Sequence, residues 1–399
     1  MGPLPPVAIA GIGCICSAGL TLKDSMRSLY RGERRPAPPT CFSAPPPFAF
    51  PVFEILEDFF PGRKIKEKNI LRTCKLAVTA ALEAMADAGF DRKFLKKKRV
   101  GVCIGTNVGS CVNNEAFYLN NGQGDALLSA PAGRFLASNP TRVIAAEFCA
   151  GGPLQTVVNA CSAGSDAIGL AASWIRTGLC DVVIAGGADE LYQVTYTGFK
   201  SLLIYDDSPC RPFDANRKGL NLGEGAAIFI LTSEKIQQEA RQKPRGFVLG
   251  YGCATDAYHP TKTRPDGLGL KMAIQEAVEA GGTTLAEIAF VSAHGTGTRD
   301  NDLIESRVLN DLLPGVPFFS TKGYTGHTLG ASGAIAAAFT VACLEEGRIP
   351  ASAGFSTPDP ELAPAYPVRR NFSISGRIAL SETLAFGGSN AVLILETGK

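Results

Sequence analysis

Short blocks in which nearly every position is apolar recur along the chain, separated by longer amphipathic stretches. That rhythm predicts strands buried on both faces and crossed over by helices, an α/β architecture. The blocks are Val7–Ile12, Val100–Ile104, Thr156–Asn159, Val182–Ala185, Ala227–Leu231, Phe247–Leu249, Ala289–Ser292 and Ala391–Leu395. They fall into two sets divided by the charged stretch Glu234–Pro244, which predicts an N-terminal unit over residues 1–240 and a C-terminal unit over 241–399, related by internal duplication. Each half carries a helix of small residues: Ser162–Thr177 stops at Gly178, and Ala331–Glu346 stops at Gly347. Arg31–Pro61 is rich in proline and aromatics and Val108–Pro140 is long and polar with several glycines, so both are expected to cap this core as insertions.

Composition removes several classes. With 399 residues, nearly half of them apolar, the chain can bury a large core. A formal net charge of +2 gives no global field for nucleic acid. The apolar stretch from Val7 to Leu20 has Pro3, Pro5 and Pro6 where a secretory leader would be basic, and Gly11 and Gly13 interrupt it. No run approaches the roughly 20 apolar residues of a membrane span, so no membrane insertion is expected. The twelve cysteines are scattered, which predicts free thiols in a reducing cytosol, and hence a cytoplasmic location, rather than a disulfide framework. The three histidines have no partners at metal-ligand spacing, so no metal is expected.

Three segments carry candidate chemistry. Val157-Val158-Asn159-Ala160-Cys161-Ser162-Ala163-Gly164 reads as a strand entering a tight turn that opens a helix. A cysteine there meets unpaired N–H groups and a partial positive charge, which favour a thiolate and can receive an oxyanion. Hydrolases and redox proteins share that setting, so Cys161 alone does not fix a reaction. In Ala293-His294-Gly295-Thr296-Gly297-Thr298 a histidine at a strand end precedes glycines that let a substrate approach the backbone. Ser320-Thr321-Lys322-Gly323-Tyr324-Thr325-Gly326-His327 sets a lysine five residues before another histidine at a helix start.

Together these segments resemble the β-ketoacyl-acyl-carrier-protein synthase family of the thiolase superfamily, in its elongating Cys-His-His type. Arg211-Pro212-Phe213-Asp214, Gly223-Glu224-Gly225, Asp256-Ala257-Tyr258-His259 and Phe386-Gly387-Gly388-Ser389-Asn390 extend the resemblance over nearly the whole chain. The resemblance implies a thiolase fold, duplicated as five layers α-β-α-β-α, and a two-fold homodimer. It implies decarboxylative Claisen condensation of an acyl thioester on Cys161 with malonyl carrier protein, in fatty acid or related biosynthesis. No cofactor would be bound; the substrates ride on the phosphopantetheine of an acyl carrier protein. The implied catalytic set is Cys161, His294, His327, Lys322 and Glu305, with an oxyanion hole from the N–H groups of Cys161 and Phe386. Thr296 and Thr298 would bind the pantetheine arm, Phe386 would gate the acyl pocket, and Phe199 and Val108 would line it. Arg63, Lys64, Lys66 and Lys68 form a basic run suited to docking an acidic carrier protein.

The chain also departs from the family pattern. Leu384-Ala385-Phe386 stands where Phe-Gly-Phe is frequent, which removes a hinge glycine before the gate. Ser292 replaces a frequent asparagine, against the monovalent cation site that some relatives carry. Tyr192 to Tyr205 departs as well. These departures keep open a polyketide or aryl-polyene ketosynthase, or a non-catalytic partner of chain-length-factor type. Such partners typically lack the cysteine found at position 161. A thiolase would need a second cysteine where His294 and His327 stand.

Overall fold

In the computed structural model, residues 4–44, 49–60, 70–107, 138–362 and 364–399 are described. Among these residues twelve strands occur: β1 (Val7–Cys16), β2 (Val100–Gly105), β3 (Leu154–Val157), β4 (Val182–Asp189), β5 (Gly225–Thr232) and β6 (Gly246–Thr255), then β7 (Ile288–Ala293), β8 (Phe318–Ser320), β9 (Arg348–Ile349), β10 (Phe372–Ser373), β11 (Ile378–Ala385) and β12 (Ser389–Thr397). Ten of them form one sheet in the order β3-β2-β4-β5-β1-β6-β12-β11-β7-β8, and β9 pairs with β10 alone. Read outward from the short β1/β6 junction, the two arms repeat each other. β1-β5-β4-β2-β3 and β6-β12-β11-β7-β8 both run antiparallel, antiparallel, parallel, parallel.

Side chains alternate across each strand, so every central strand feeds two cores. Val183 and Ala185 of β4 and Phe229 and Leu231 of β5 face inward to a core shared with Phe290, Leu393 and Leu395 of the other arm. The helices Ala163–Arg176 and Ser332–Glu346 run through that shared core and pack on each other. Val182, Ile184, Ile228 and Ile230 face outward to the helix Arg72–Asp87, while Leu380, Val392 and Ile394 face the helix Leu268–Gly281. The result is the thiolase-type stack of helix, sheet, helix, sheet, helix. Leu329–Glu346 is the one helical stretch among the described residues long and apolar enough to cross a membrane, and 89% of it is buried inside the fold.

The outer helices press unusually close to the strands beneath them. A Cβ on Gly13 would stand 2.0 Å from the Ala80 carbonyl oxygen of the Arg72–Asp87 helix, and one on Gly250 would stand 1.9 Å from that of Ala277. The device is the same in both arms: Gly11-Ile12-Gly13-Cys14 in β1 and Gly250-Tyr251-Gly252-Cys253 in β6. In each, the cysteine N–H donates to a glutamate of the overlying helix at 2.8 Å, Glu83 in the first arm and Glu276 in the second. Gly13→Ala is therefore expected to cost about 1–3 kcal/mol by overpacking, read as a lowered urea midpoint at unchanged slope. An unmoved midpoint would mean that the helix shifts freely.

The structure corrects the sequence expectations at three places. β3 ends at Val157 rather than continuing to Asn159, because the chain turns there and leaves Val158 64% exposed. β8 and β11 join the sheet where no strand is expected from the sequence. β8 has only three residues, and β11 hides Ser381, Glu382 and Thr383 in its buried interior. Every described cysteine is a free thiol.

Candidate active site

Cys161 stands where β3 hands over to the helix Ala163–Arg176, whose N-cap is Ser162. Ala160 adopts φ 46°, a conformation costly for a residue with a Cβ, and this forces the sharp turn that presents the thiol. Asp166 in the first helical turn holds the turn in shape. It accepts hydrogen bonds from Asn159 Nδ2 at 2.7 Å, Ser162 Oγ at 2.8 Å and the Tyr251 hydroxyl at 2.9 Å. Asn159 Nδ2 also reaches Ser389 Oγ at 2.9 Å, tying the turn to the Phe386–Asn390 segment.

Burial overrides the helix terminus in setting the thiol's acidity. The Cys161 thiol is pushed up to about 11 by desolvation, although the Lys322 charge and the backbone N–H groups of Phe386 and Cys161 pull it down. At rest Cys161 is thus a thiol, not the thiolate that the turn alone would favour. Those two N–H groups lie near enough to the sulfur to lower its pKa, in the region where an oxyanion formed on a thioester carbon would need fixed donors.

His294 follows β7 directly and His327 precedes the helix Ser332–Glu346; both are almost fully buried. Lys322 Nζ lies 3.0 Å from His294 Nδ1 and also donates to the His294 carbonyl oxygen. The Leu329 N–H donates to His327 Nδ1 at 3.1 Å. With Nδ1 accepting in both rings, the proton of each neutral imidazole sits on Nε2. The rings meet edge to face at 5.5 Å between centroids. Both histidines are held well below the usual imidazole range, first by burial and then by the Lys322 charge, so both are neutral donors at physiological pH. Burial also draws Lys322 down to about 8, against the pull of Glu305 and other nearby acidic groups.

Glu305 does not ion-pair directly with Lys322. It accepts the N–H groups of His294 and of Gly295, the latter at 2.8 Å, together with Asn301 Nδ2 at 2.9 Å, while Lys322 holds the carbonyl end of the same residue. Lysine and glutamate therefore grip His294 from opposite sides of its backbone. Ser292 faces the central core, with its hydroxyl lacking a partner among the described residues.

These groups meet in a cavity of about 350 Å³ lined by Cys161, His294, His327, Phe199 and Phe386 at depth, and by Leu203, Lys262 and Arg299 at its exposed end. Thr296 and Thr298 line one wall and share a hydroxyl hydrogen bond of 2.7 Å. Phe386 stacks on Phe199 at 5.4 Å, and Phe199 in turn lies edge-on to His327. Behind this stack Tyr196, Tyr205, Leu220 and Leu222 form an aromatic-rich cluster. Val108 and the basic residues Arg63, Lys64, Lys66 and Lys68 lie outside the described residues.

Two important groups escape the sequence reading. Asp189, fully buried at the end of β4, accepts Thr106 Oγ1 at 2.7 Å, the Asn107 N–H at 2.8 Å and the Gly330 N–H at 2.6 Å, which bolts the His327 segment to the Cys161 arm. An acid closing an apolar run was its only signal. Asn221 takes the His327 N–H on its carbonyl at 2.8 Å. The other motifs are framework: Asp302 accepts the Phe213 N–H, Glu224 clasps Arg72, and Asp256 accepts from Asn390.

The family models for the β-ketoacyl synthase N-terminal and C-terminal domains match residues 5–236 and 245–356. A 3-oxoacyl-[acyl-carrier-protein] synthase 2 of Synechocystis sp. is 33% identical, with 97% of each chain covered. The tetracenomycin polyketide synthase ketoacyl synthase alpha subunit of Streptomyces glaucescens is 31% identical over 98% of this chain and 97% of its own. Among solved structures, the ishigamide ketosynthase/chain length factor superposes with a TM-score of 0.89 at 31% identity, with 99% of each chain covered. On the strength of both domain matches and of this near full-length likeness, the chain belongs to the β-ketoacyl synthase family of condensing acyltransferases.

Proposed function

We propose that Cys161 carries the acyl group and that His294 and His327 generate the attacking carbon, in a 3-oxoacyl-[acyl-carrier-protein] synthase reaction. The observation that carries this reading is the pair of neutral histidines whose Nε2–H donors are fixed by Lys322 and by the Leu329 N–H. In the first step the Cys161 sulfur bonds to the acyl carbon, the pantetheine thioester bond breaks, and the thiol proton leaves with the pantetheine thiol. The N–H groups of Cys161 and Phe386 hold the intervening oxyanion. Malonyl carrier protein then enters, its pantetheine arm passing Thr296 and Thr298. Loss of carbon dioxide leaves an enolate whose oxygen takes the two histidine hydrogen bonds. The enolate carbon attacks the acyl-Cys161 carbonyl, the new carbon–carbon bond forms, and the Cys161 sulfur is released.

The protein binds no cofactor of its own in this scheme, and the acyl carrier protein is its macromolecular partner. We further propose a two-fold homodimer and two evolutionary halves, 1–240 and 241–399. The open edge of β3, with Leu154 49% exposed, supports the first, and the repeated strand order supports the second. The likeness to a polyketide alpha subunit and to a ketosynthase/chain length factor structure supports a second reading, in which the partner is a chain-length factor. Mass spectrometry of products from malonyl carrier protein and a series of acyl carrier proteins tests both. A 3-oxoacyl product two carbons longer with the chain alone supports the first, one that requires an added partner subunit supports the second, and none with any primer or partner would sink both.

The electrostatics give a pH signature. Lys322, drawn down to about 8, loses its charge as pH rises through that value and with it the polarisation of His294. Malonyl decarboxylation, which does not need the Cys161 thiol, is expected to fall on the alkaline side with an apparent pKa near 8. It should show no acid limb near the ordinary histidine value, since both rings are already neutral there. A profile that instead rises through pH 8, or that breaks at the ordinary histidine value, would contradict these assignments.

A further inference from the structure

Glu382 lies within β11 with only 1% of its surface exposed, and neither carboxyl oxygen receives a hydrogen bond from a donor among the described residues. A charged carboxylate in such a place would lose its hydration without compensation. β11 runs parallel to β7 with Ser381 opposite Ser292, so Glu382 stands level with Ala293, one residue before His294. Its strand neighbours on the same face, Leu380 and Leu384, pack in the outer core with Val308 and Leu309 of the helix Arg299–Leu312. That helix also supplies Glu305, which is fully buried. Glu305 Oε1 takes only the His294 N–H, whereas Oε2 takes both the Gly295 N–H and the Asn301 amide, so Oε1 has room for one further donor.

The nearby charges settle which form Glu382 takes. Lys322 and Glu305 already balance one another, and an ionised Glu382 would add a negative charge with no cation of its own. Burial first, and then the charge of the Glu305 carboxylate, push the Glu382 carboxyl well above the usual range, with Lys322 opposing. Two carboxyl groups share a hydrogen bond only when one of them carries the proton.

We propose that Glu382 is a positioning residue that stays protonated at neutral pH and donates to Glu305, completing the grip by which Glu305 aims His294. Its effect on rate rests on the reading of His294 given above, whereas the proton itself can be observed separately. The first measurement is an infrared difference spectrum between the protein and E382Q at neutral pH. The carbonyl stretch of a protonated carboxylic acid is expected in the unaltered protein and should vanish in E382Q; ionised-carboxylate bands in its place would overturn the proposal.

The second measurement is malonyl decarboxylation. E382Q, whose amide N–H makes the same bond, should stay within about threefold of the unaltered protein, while E382L, which lacks a donor, should lose about tenfold or more in kcat at unchanged KM. Loss in E382Q as deep as in E382L would overturn the proposal. So would a potassium or calcium requirement that appears on dialysis and disappears in E382Q, because a cation would then bridge the two carboxyls. If no form decarboxylates malonyl carrier protein, the reading of His294 falls, and the infrared band still decides the proton.

Discussion

Cys161→Ala is expected to eliminate transfer of the acyl group to the protein and to lower formation of the extended 3-oxoacyl product by roughly 10⁴-fold or more, the scale seen when a covalent nucleophile is removed. The same variant should keep decarboxylating malonyl carrier protein, because His294, His327 and Lys322 are positioned without the thiol. Lys322 and Glu305 hold His294 through its own backbone, and Leu329 and Asn221 hold His327. The side chain itself is small and its neighbours are tied down by Asp166, so the fold should tolerate the change. Intact-protein mass spectrometry after incubation with acyl carrier protein reads the acyl adduct, and carbon dioxide release reads decarboxylation. An adduct that persists in the variant would place the nucleophile on one of the other cysteines. Loss of both activities would mean that the thiol helps to organise the malonyl site, contrary to the separation drawn here.

Much of this site is legible in the chain because its residues sit where packing does not explain them. Cys161, His294, Lys322 and His327 each stand at a joint between a strand or turn and the next element, among glycines and small hydroxyl residues. Chemistry accounts for such residues there more simply than a core does. What escapes the sequence is polar and buried by tertiary contact. Asp189 looks like an acid closing an apolar run, and Glu382 falls where the sequence predicts no strand, yet both are sealed in, Asp189 against backbone N–H groups distant in the chain. Burial also reverses one inference outright: the helix terminus beneath Cys161 is present, but desolvation outweighs it and the thiol is raised. A local pattern gives the sign of one contribution, while the balance depends on how much water the whole fold removes. The duplication behaves differently, since the Gly-x-Gly-Cys repeat of β1 and β6 is visible in the letters once the outer helices show what the glycines are for.

The histidines divide the reaction from the other side, and this division is the strongest test of the proposed roles. His294→Ala and His327→Ala should each reduce malonyl decarboxylation, and condensation with it, by about 10²–10³-fold, as expected when one fixed donor to a developing oxyanion is lost. Acylation of Cys161 should survive in both, because the oxyanion hole proposed for that step is made of the N–H groups of Cys161 and Phe386 and not of imidazole. Glutamine at either position retains a side-chain N–H and should recover part of the loss, provided that the donor and not proton transfer is what matters. The double variant should fall little beyond the worse single one if both hydrogen bonds serve the same oxygen, since one remaining donor cannot hold the enolate in line with the acyl-Cys161 carbonyl. Adduct formation and carbon dioxide release, measured on the same samples, separate the two half-reactions. Should either histidine variant lose acylation as completely as decarboxylation, that ring acts on the thiol, and its neutral Nε2–H form could not be its working state. With acylation intact and decarboxylation lost, the two neutral rings act as one device, and the buried lysine and glutamate behind His294 serve to keep a donor, not a base, facing the malonyl group.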